Sequence, residues 1–258
     1  MAGLRVALLH IAPRPGDFQY NCKLVENGII SAAVHGAQWI VTPELCLSGY
    51  EFSPVCGTAW IETAPDRHSE RFFHLARRLG VTLFLSHAEK DAETKKLHNA
   101  TFVIGDKGRL RGTHRKIVVI PGIEEWAAPG ELVEPISVPS RKVGVLICAD
   151  AYTPSIAGQL KDKGAQILIS PASWTPMPHG PEKSWEDRSR ETGLPLFVCN
   201  RTGSDHSMNF ADAESVVSCG GKRLMTFQSA TSSVVLVDWD FTNQSMIRHE
   251  SRELVWAD

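Results

Sequence analysis

The chain has 258 residues, too many for a disulfide-stapled miniprotein, and its 43% hydrophobic and 22% charged residues exclude a disordered chain. Lys plus Arg number 27 against 29 for Asp plus Glu, a formal charge of −2, which argues against a protein that lives on nucleic acid or an anionic membrane. Six cysteines (Cys22, Cys46, Cys56, Cys148, Cys199 and Cys219) include no C-x-x-C pair, so zinc-ribbon and dithiol redox chemistry lose support and free thiols in a reducing, cytoplasmic compartment are expected.

Taken in chain order, Arg5 to Ile11 reads as a buried strand, too short for a signal-peptide core, followed by a loop at Pro13, Pro15 and Gly16. Asn21 to His35 places Leu24, Val25, Gly28, Ile29, Ala32 and Ala33 on one helical face. Trp39 to Thr42 is the next strand and stops at Pro43. A helix over Ser69 to Leu79 ends at Gly80 and leads into a strand from Val81 to Ser86. Thr101 to Ile104 and Arg109 to Thr113 flank Gly105-Asp-Lys-Gly108, which is hairpin chemistry. Lys142 to Cys148 repeats the pattern of the first strand, and Gly164-Ala-Gln-Ile-Leu-Ile-Ser-Pro171 repeats Gly36-Ala-Gln-Trp-Ile-Val-Thr-Pro43. Leu196 to Cys199, Ser215 to Ser218 and Ser233 to Val237 add strands. No apolar stretch is long enough to span a membrane. Two βαβ-type halves without a linker predict a single α/β domain over residues 1–258, two sheets with helices outside. The C-terminal stretch Glu250 to Asp258 is expected either to cross to a partner subunit or to fray.

Reactive side chains gather at predicted strand ends, where α/β folds build their sites. Cys148 ends an apolar run. A cysteine there is usually an inert core residue, but it can also be a nucleophile with the next backbone N–H available to an oxyanion. Glu44 follows Pro43 and is either a cap for the next turn or a base in a partly desolvated cleft. Lys116 closes the triplet His114-Arg-Lys116, which most often marks a solvated face. No G-x-S-x-G, H-E-x-x-H, Walker loop or G-x-G-x-x-G occurs, so serine-triad, zincin and nucleotide readings have no support.

In combination these segments resemble the nitrilase superfamily of carbon–nitrogen hydrolases. Pro43-Glu-Leu-Cys-Leu-Ser-Gly-Tyr50 resembles the segment holding the family's catalytic Glu, His114-Arg-Lys116 the segment holding its Lys, and Gly144-Val-Leu-Ile-Cys-Ala-Asp150 its nucleophile strand. Glu124, eight residues after Lys116, matches the second acidic residue of amidase branches, with Glu125 as a neighbour that could be confused with it. Trp185-Glu-Asp-Arg188 and Phe197 to Gly203 add weaker similarity. The resemblance implies an αββα four-layer sandwich that pairs into homodimers or larger homo-oligomers. It also implies a thiol amidohydrolase for a small-molecule carboxamide, needing no metal or organic cofactor. By that resemblance Cys148 attacks, Glu44 carries the proton, and Lys116 with the Ala149 N–H holds the oxyanion. Glu124 positions the substrate nitrogen or tunes Lys116, and Tyr50, Tyr152 and Trp174 line the pocket. Many family members carry an Arg after the nucleophile, and Asp150-Ala-Tyr-Thr-Pro-Ser155 has none, so capture of a substrate carboxylate loses its usual partner. The family's early Gln is replaced by His10. Rival readings are a nitrilase or N-carbamoyl amidohydrolase with the same residues, a catalytically silent scaffold, or an acyl transferase.

Overall fold

In the computed structural model, which describes residues 3–139, 141–176 and 181–254, the first strand already sets the layering. β1 (Leu4–His10) turns Val6 and Leu8 into one apolar cluster and Ala7 and Leu9 into another, the two-residue alternation of a strand covered on both faces. Ala7 and Leu9 meet α1 (Phe18–Val34), whose Leu24, Val25, Ile29 and Ala32 are buried. This helix starts at Phe18 rather than Asn21 because Asp17 caps it, its carboxylate accepting the Tyr20 N–H at 3.1 Å.

β2 (Trp39–Val41) runs parallel to β1 and to β3 (Thr82–Lys90). Between β2 and β3 lie the single turn α2 (Ser53–Cys56) and α3 (Glu70–Leu79), which ends at Gly80 in the left-handed conformation, φ +67°. β4 (Leu97–Ile104) and β5 (Leu110–Arg115) form the expected hairpin, extending the sheet antiparallel. Gly108 in its turn has φ +67°, and a Cβ there would lie 2.4 Å from the Phe73 carbonyl oxygen.

The second half repeats the first at backbone level. β7 (Arg141–Val145), α4 (Pro154–Asp162) and β8 (Ile167–Ala172) form a strand–helix–strand unit, with Val143 opposite Ile167 as Val6 is opposite Trp39 in β1–β2. β7 stops at Val145, short of the expected Cys148, and a 3₁₀ turn from Cys148 to Tyr152 follows. β6 (Ile136–Val138) pairs antiparallel with β7; α5 (Ser184–Thr192) leads into β9 (Leu196–Asn200), parallel to β8. The remaining strands are β10 (Ser215–Cys219), β11 (Lys222–Phe227), β12 (Ser233–Asp240) and β13 (Ser245–Glu253).

One sheet has the order β13-β12-β1-β2-β3-β4-β5, the other β11-β10-β9-β8-β7-β6. Val6, Leu8, Val41, Phe84, Val235 and Val237 of the first share a core with Val145, Ile169 and Phe197 of the second. α1 and α3 cover the outer face of the first sheet, while α4 and α5 pack Ile156, Leu160 and Trp185 against the second. The result is the αββα sandwich. Cys199 lies at the sheet–sheet contact, its thiol directed to the Leu9 and Val41 carbonyls at 3.4 and 3.1 Å.

All six cysteines are free, as expected; Cys22, Cys46, Cys148 and Cys199 are buried, Cys56 is exposed and Cys219 half-buried. Of the C-terminal stretch, residues 250–253 belong to β13 and 255–258 lie outside the described residues. Among the described residues no helix is long and apolar enough to cross a membrane.

Candidate active site

The C-terminal ends of β2, β8 and β9 and the end of β5 converge on one region. β2 is followed directly by Thr42-Pro43-Glu44. Its turn is fixed by Ser86 of β3, whose hydroxyl accepts the Leu45 N–H at 3.1 Å, and Leu45 sits at φ +50°. Residue 148 is also left-handed, φ +47°. Non-glycine residues held in that region cost on the order of 1–2 kcal/mol each and persist only where neighbours over-determine them.

At Cys148 the over-determining group is Asp150, fully buried. Its carboxylate accepts the N–H groups of Ile147, Ile117 and Val118, each at 2.9 Å, and faces His114 Nε2 at 2.9 Å. One side chain thus ties the cysteine turn to the residues on either side of Lys116. Arg188 of α5 adds a hydrogen bond to the Ala151 carbonyl at 2.8 Å.

Lys116 Nζ is completely enclosed and donates to Glu44 Oε1 at 2.7 Å and to Glu124 Oε1 and Oε2 at 2.8 and 2.7 Å. The Asn99 amide Nδ2 donates to the same two oxygens, Glu44 Oε1 at 2.8 Å and Glu124 Oε1 at 2.7 Å. Glu44 Oε2 accepts the Ser173 N–H at 2.9 Å, and Glu124 Oε2 that of Ile120 at 2.8 Å. Glu125, by contrast, is exposed and accepts the Gly122 N–H at 3.2 Å, which separates the two neighbouring glutamates.

Burial pushes the Glu44 carboxyl up to about 7 and Glu124 adds to the rise, against the attraction of Lys116. For Lys116 burial works against the ammonium, but Glu44, Tyr50, Glu124 and Cys148 outweigh it and hold its pKa well above the ordinary value. The Cys148 thiol is also held well above its ordinary value, by burial and by Glu44, while Lys116 and the Ser173 backbone oppose.

Cys148 and Ala149 line a cavity of about 230 Å³ together with Tyr50, Ile120, Pro121, Ile123, Tyr152, Ser173, Trp174, Thr175 and Met208. Among the described residues no charged side chain lines it. Tyr152 stands half out of the cavity at 44% exposure, its ring edge-on to buried Trp174 with centroids 4.6 Å apart.

A family model described as carbon–nitrogen hydrolase matches residues 5–244 of this chain. The chain belongs to the carbon–nitrogen hydrolase family. Among curated relatives, a nitrilase from Pyrococcus abyssi is 28% identical over 90% of this chain and 87% of its own length. An ω-amidase from Xenopus tropicalis is 30% identical over 79% of this chain and 75% of its own length. Among solved structures, a mutant of the amidase from Nesterenkonia sp. AN1, showing Michael addition of acrylamide at the active-site cysteine, superposes with a TM-score of 0.81. It is 25% identical and covers 92% of this chain and 93% of its own. This carbon–nitrogen hydrolase is therefore an enzyme of the nitrilase superfamily.

In this hydrolase the sequence-predicted Glu44, Lys116 and Glu124 form one hydrogen-bonded group beside the cavity that Cys148, Ala149, Tyr50, Tyr152 and Trp174 line. The basic triplet is not a solvated face. His114 meets Asp150, Arg115 pairs with Glu89 and Asp91, and Lys116 meets Glu44 and Glu124, each base with its own carboxylate. His10 ends β1 inside the fold, Nδ1 3.0 Å from the Ser215 hydroxyl and ring edge-on to Phe227, so it packs rather than lining the cavity.

Sequence reading missed Asn99, Ser173, Asp150 and the Asn200–Arg201–Asp205 support. Asn200 brackets Trp174 through both its N–H and carbonyl, at 3.0 and 2.9 Å. Buried Arg201 pairs with Asp205, which accepts the Tyr50 N–H at 3.0 Å. The available signal was an amide or carboxylate inside an otherwise apolar run, which a buried strand does not need.

Proposed function

We propose that this hydrolase cleaves a small, uncharged carboxamide to the carboxylic acid and ammonia through a cysteine thioester. The observation that carries the reading is the enclosed Lys116 ammonium, shared by two carboxylates beside a thiol that opens into an apolar, uncharged cavity.

The chemistry follows from those positions. Glu44 as carboxylate takes the Cys148 proton, and the sulfur attacks the amide carbon as the carbonyl electrons move onto oxygen. Lys116, by turning one of the N–H groups it gives to the two Glu124 oxygens, stabilises that oxyanion together with the Ala149 N–H. One such donor is worth roughly 3–4 kcal/mol. Glu44 passes its proton to the departing nitrogen, ammonia leaves, and the acyl group remains on sulfur. Glu44 then takes a proton from water, whose oxygen attacks the thioester. The carbon–sulfur bond breaks, and the proton returns to sulfur as the acid leaves.

An uncharged substrate is supported by the lining. A substrate carboxylate desolvated there would find no cationic side chain among the described residues of the lining, and burying an unpaired charge is costly. The acrylamide adduct of the Nesterenkonia amidase supports a small neutral amide, whereas the ω-amidase relative represents the alternative to be tested. The deciding experiment measures ammonia release from short aliphatic amides, from the same amides bearing a terminal carboxylate, and from nitriles and carbamoyl compounds, with mass detection of the acyl-enzyme. Neutral amides are expected to be turned over at least tenfold faster than carboxylated ones, a difference of about 1.4 kcal/mol in transition-state binding. Preference for the carboxylated series, or no cysteine-bound acyl group, sinks the reading.

A further inference from the structure

We infer that Asn99 is a positioning residue that keeps Glu44 able to accept the nucleophile's proton, by giving two buried carboxylates a second shared donor. The inference rests on the reading of Glu44 as the base and extends it to a side chain that touches neither substrate nor sulfur.

Four atoms form a closed ring of alternating donors and acceptors: Asn99 Nδ2, Glu44 Oε1, Lys116 Nζ and Glu124 Oε1, with every side between 2.7 and 2.8 Å. Two carboxylates stand against one ammonium, so one unit of negative charge is left over inside the fold. Like charges sharing a site oppose each other's ionisation, and one of them takes a proton unless further donors are supplied. Asn99 supplies them from inside the fold, being only 1% exposed itself. Its orientation follows from its neighbours. The flipped amide would aim Oδ1 at two carboxylate oxygens, so Nδ2 faces them and Oδ1 is left without a hydrogen-bond partner among the described residues. A buried amide that leaves its own oxygen unpaired in order to serve two carboxylates is arranged for those carboxylates.

The other charged or titratable groups acting on Glu44 are Lys116 from the end of β5, Glu124 from the following loop, Cys148 from the 3₁₀ turn, Tyr50 from the loop after β2, and Arg201 from the end of β9. Of these, Lys116 shares Glu44 Oε1 with Asn99, at 2.7 and 2.8 Å. The Asn99 hydrogen bond acts in the same direction as Lys116, lowering the Glu44 carboxyl against burial.

The test compares wild type with Asn99→Leu, nearly isosteric but without donors, and Asn99→Ser, which keeps one donor. Ammonia release from a neutral amide is followed from about pH 5 to about pH 9, and thermal unfolding establishes that each variant is folded. In parallel, alkylation of Cys148 by iodoacetamide is followed by peptide mass mapping, which separates it from exposed Cys56. The acid limb of kcat/KM is expected to move up by about one pH unit in Asn99→Leu, with Cys148 alkylation at neutral pH slowed about fivefold and Asn99→Ser in between. A merely structural role would lower the whole profile without moving its limb. If Asn99→Leu does not fold, Asn99→Ser decides by the same shift. An unmoved limb and unmoved alkylation in the folded variants overturn the inference even if wild type hydrolyses amides. The predicted alkylation shift in a protein that releases no ammonia from any amide upholds it and overturns the substrate reading instead.

Discussion

A thiol enclosed in apolar surroundings is a poor nucleophile until a nearby group removes its proton, and at Cys148 burial and the Glu44 charge both hold that proton on sulfur. Cys148→Ala is therefore expected to abolish ammonia release, with the thermal midpoint within a few degrees of wild type. Retained turnover would remove Cys148 from the mechanism. The sign of the pH dependence follows from Glu44, which must be ionised to act as base. With its carboxyl raised to about 7 by burial, kcat/KM is expected to rise with pH and level off above that value. A profile already flat at pH 5 would place the base elsewhere. Lys116 carries two loads, since it balances Glu44 and Glu124 and also serves the oxyanion. Removing one partner of a buried ion pair costs about 3–5 kcal/mol, and removing one oxyanion donor costs about 10²–10³ in kcat. Lys116→Met should show both losses, read from denaturant unfolding and from ammonia release. A variant as stable as wild type would contradict the enclosed geometry.

At the scale of elements, the site depends on turns more than on strands. β1, β2, α1, α3, β8 and the β4–β5 hairpin were legible because burial on one or both faces writes a repeating pattern, and because Pro43, Gly80 and Gly108 mark their ends. Glu44 and Cys148 were legible for a related reason, as reactive side chains where apolar runs stop. Short β6 and the solvent-facing β11 and β13 were not, since few apolar positions recur in them. Asn99 and Asp150 escaped because Asn99's partners are 25 and 55 residues away in sequence and all but one of Asp150's are 32 to 36 away, and only the closed sandwich brings those groups together. Asp150 gives this a measurable form. Its carboxylate holds three backbone N–H groups and His114, so Asp150→Ala leaves several buried donors unpaired, at about 1–3 kcal/mol each. The variant should lose about 3–5 kcal/mol in denaturant unfolding, and turnover should fall because the Cys148 turn and the Lys116 segment separate. Asp150→Asn keeps one accepting oxygen and should lie between the two. A loss below about 1 kcal/mol in Asp150→Ala would mean the turn is held by its own backbone.

Across the whole molecule, two buried groups at or just beyond the ends of neighbouring strands make opposite contributions to stability as pH changes. His10, at the end of β1, has its pKa lowered from 6.5 to about 4, chiefly by burial, so the unfolded chain binds a proton that the folded one refuses. Its contribution is present above pH 6.5 and is lost as pH falls through 4. Glu44 is raised from 4.5 to about 7, so the folded chain holds a proton that the unfolded one has released. Its contribution is present below pH 4.5 and is lost as pH rises through 7. Each shift corresponds to at most about 3 kcal/mol, and between pH 4.5 and 6.5 the two slopes have opposite sign and similar size. These two groups together thus leave a plateau in that window. Single variants should expose the slopes. Glu44→Gln removes the falling one, and its unfolding free energy should climb with pH from 4 to 6.5. His10→Gln removes the rising one, and its stability should decline from pH 4.5 to 7. Urea unfolding of both variants at several pH values checks the pair, and parallel curves for wild type and both variants would show that neither group titrates with folding.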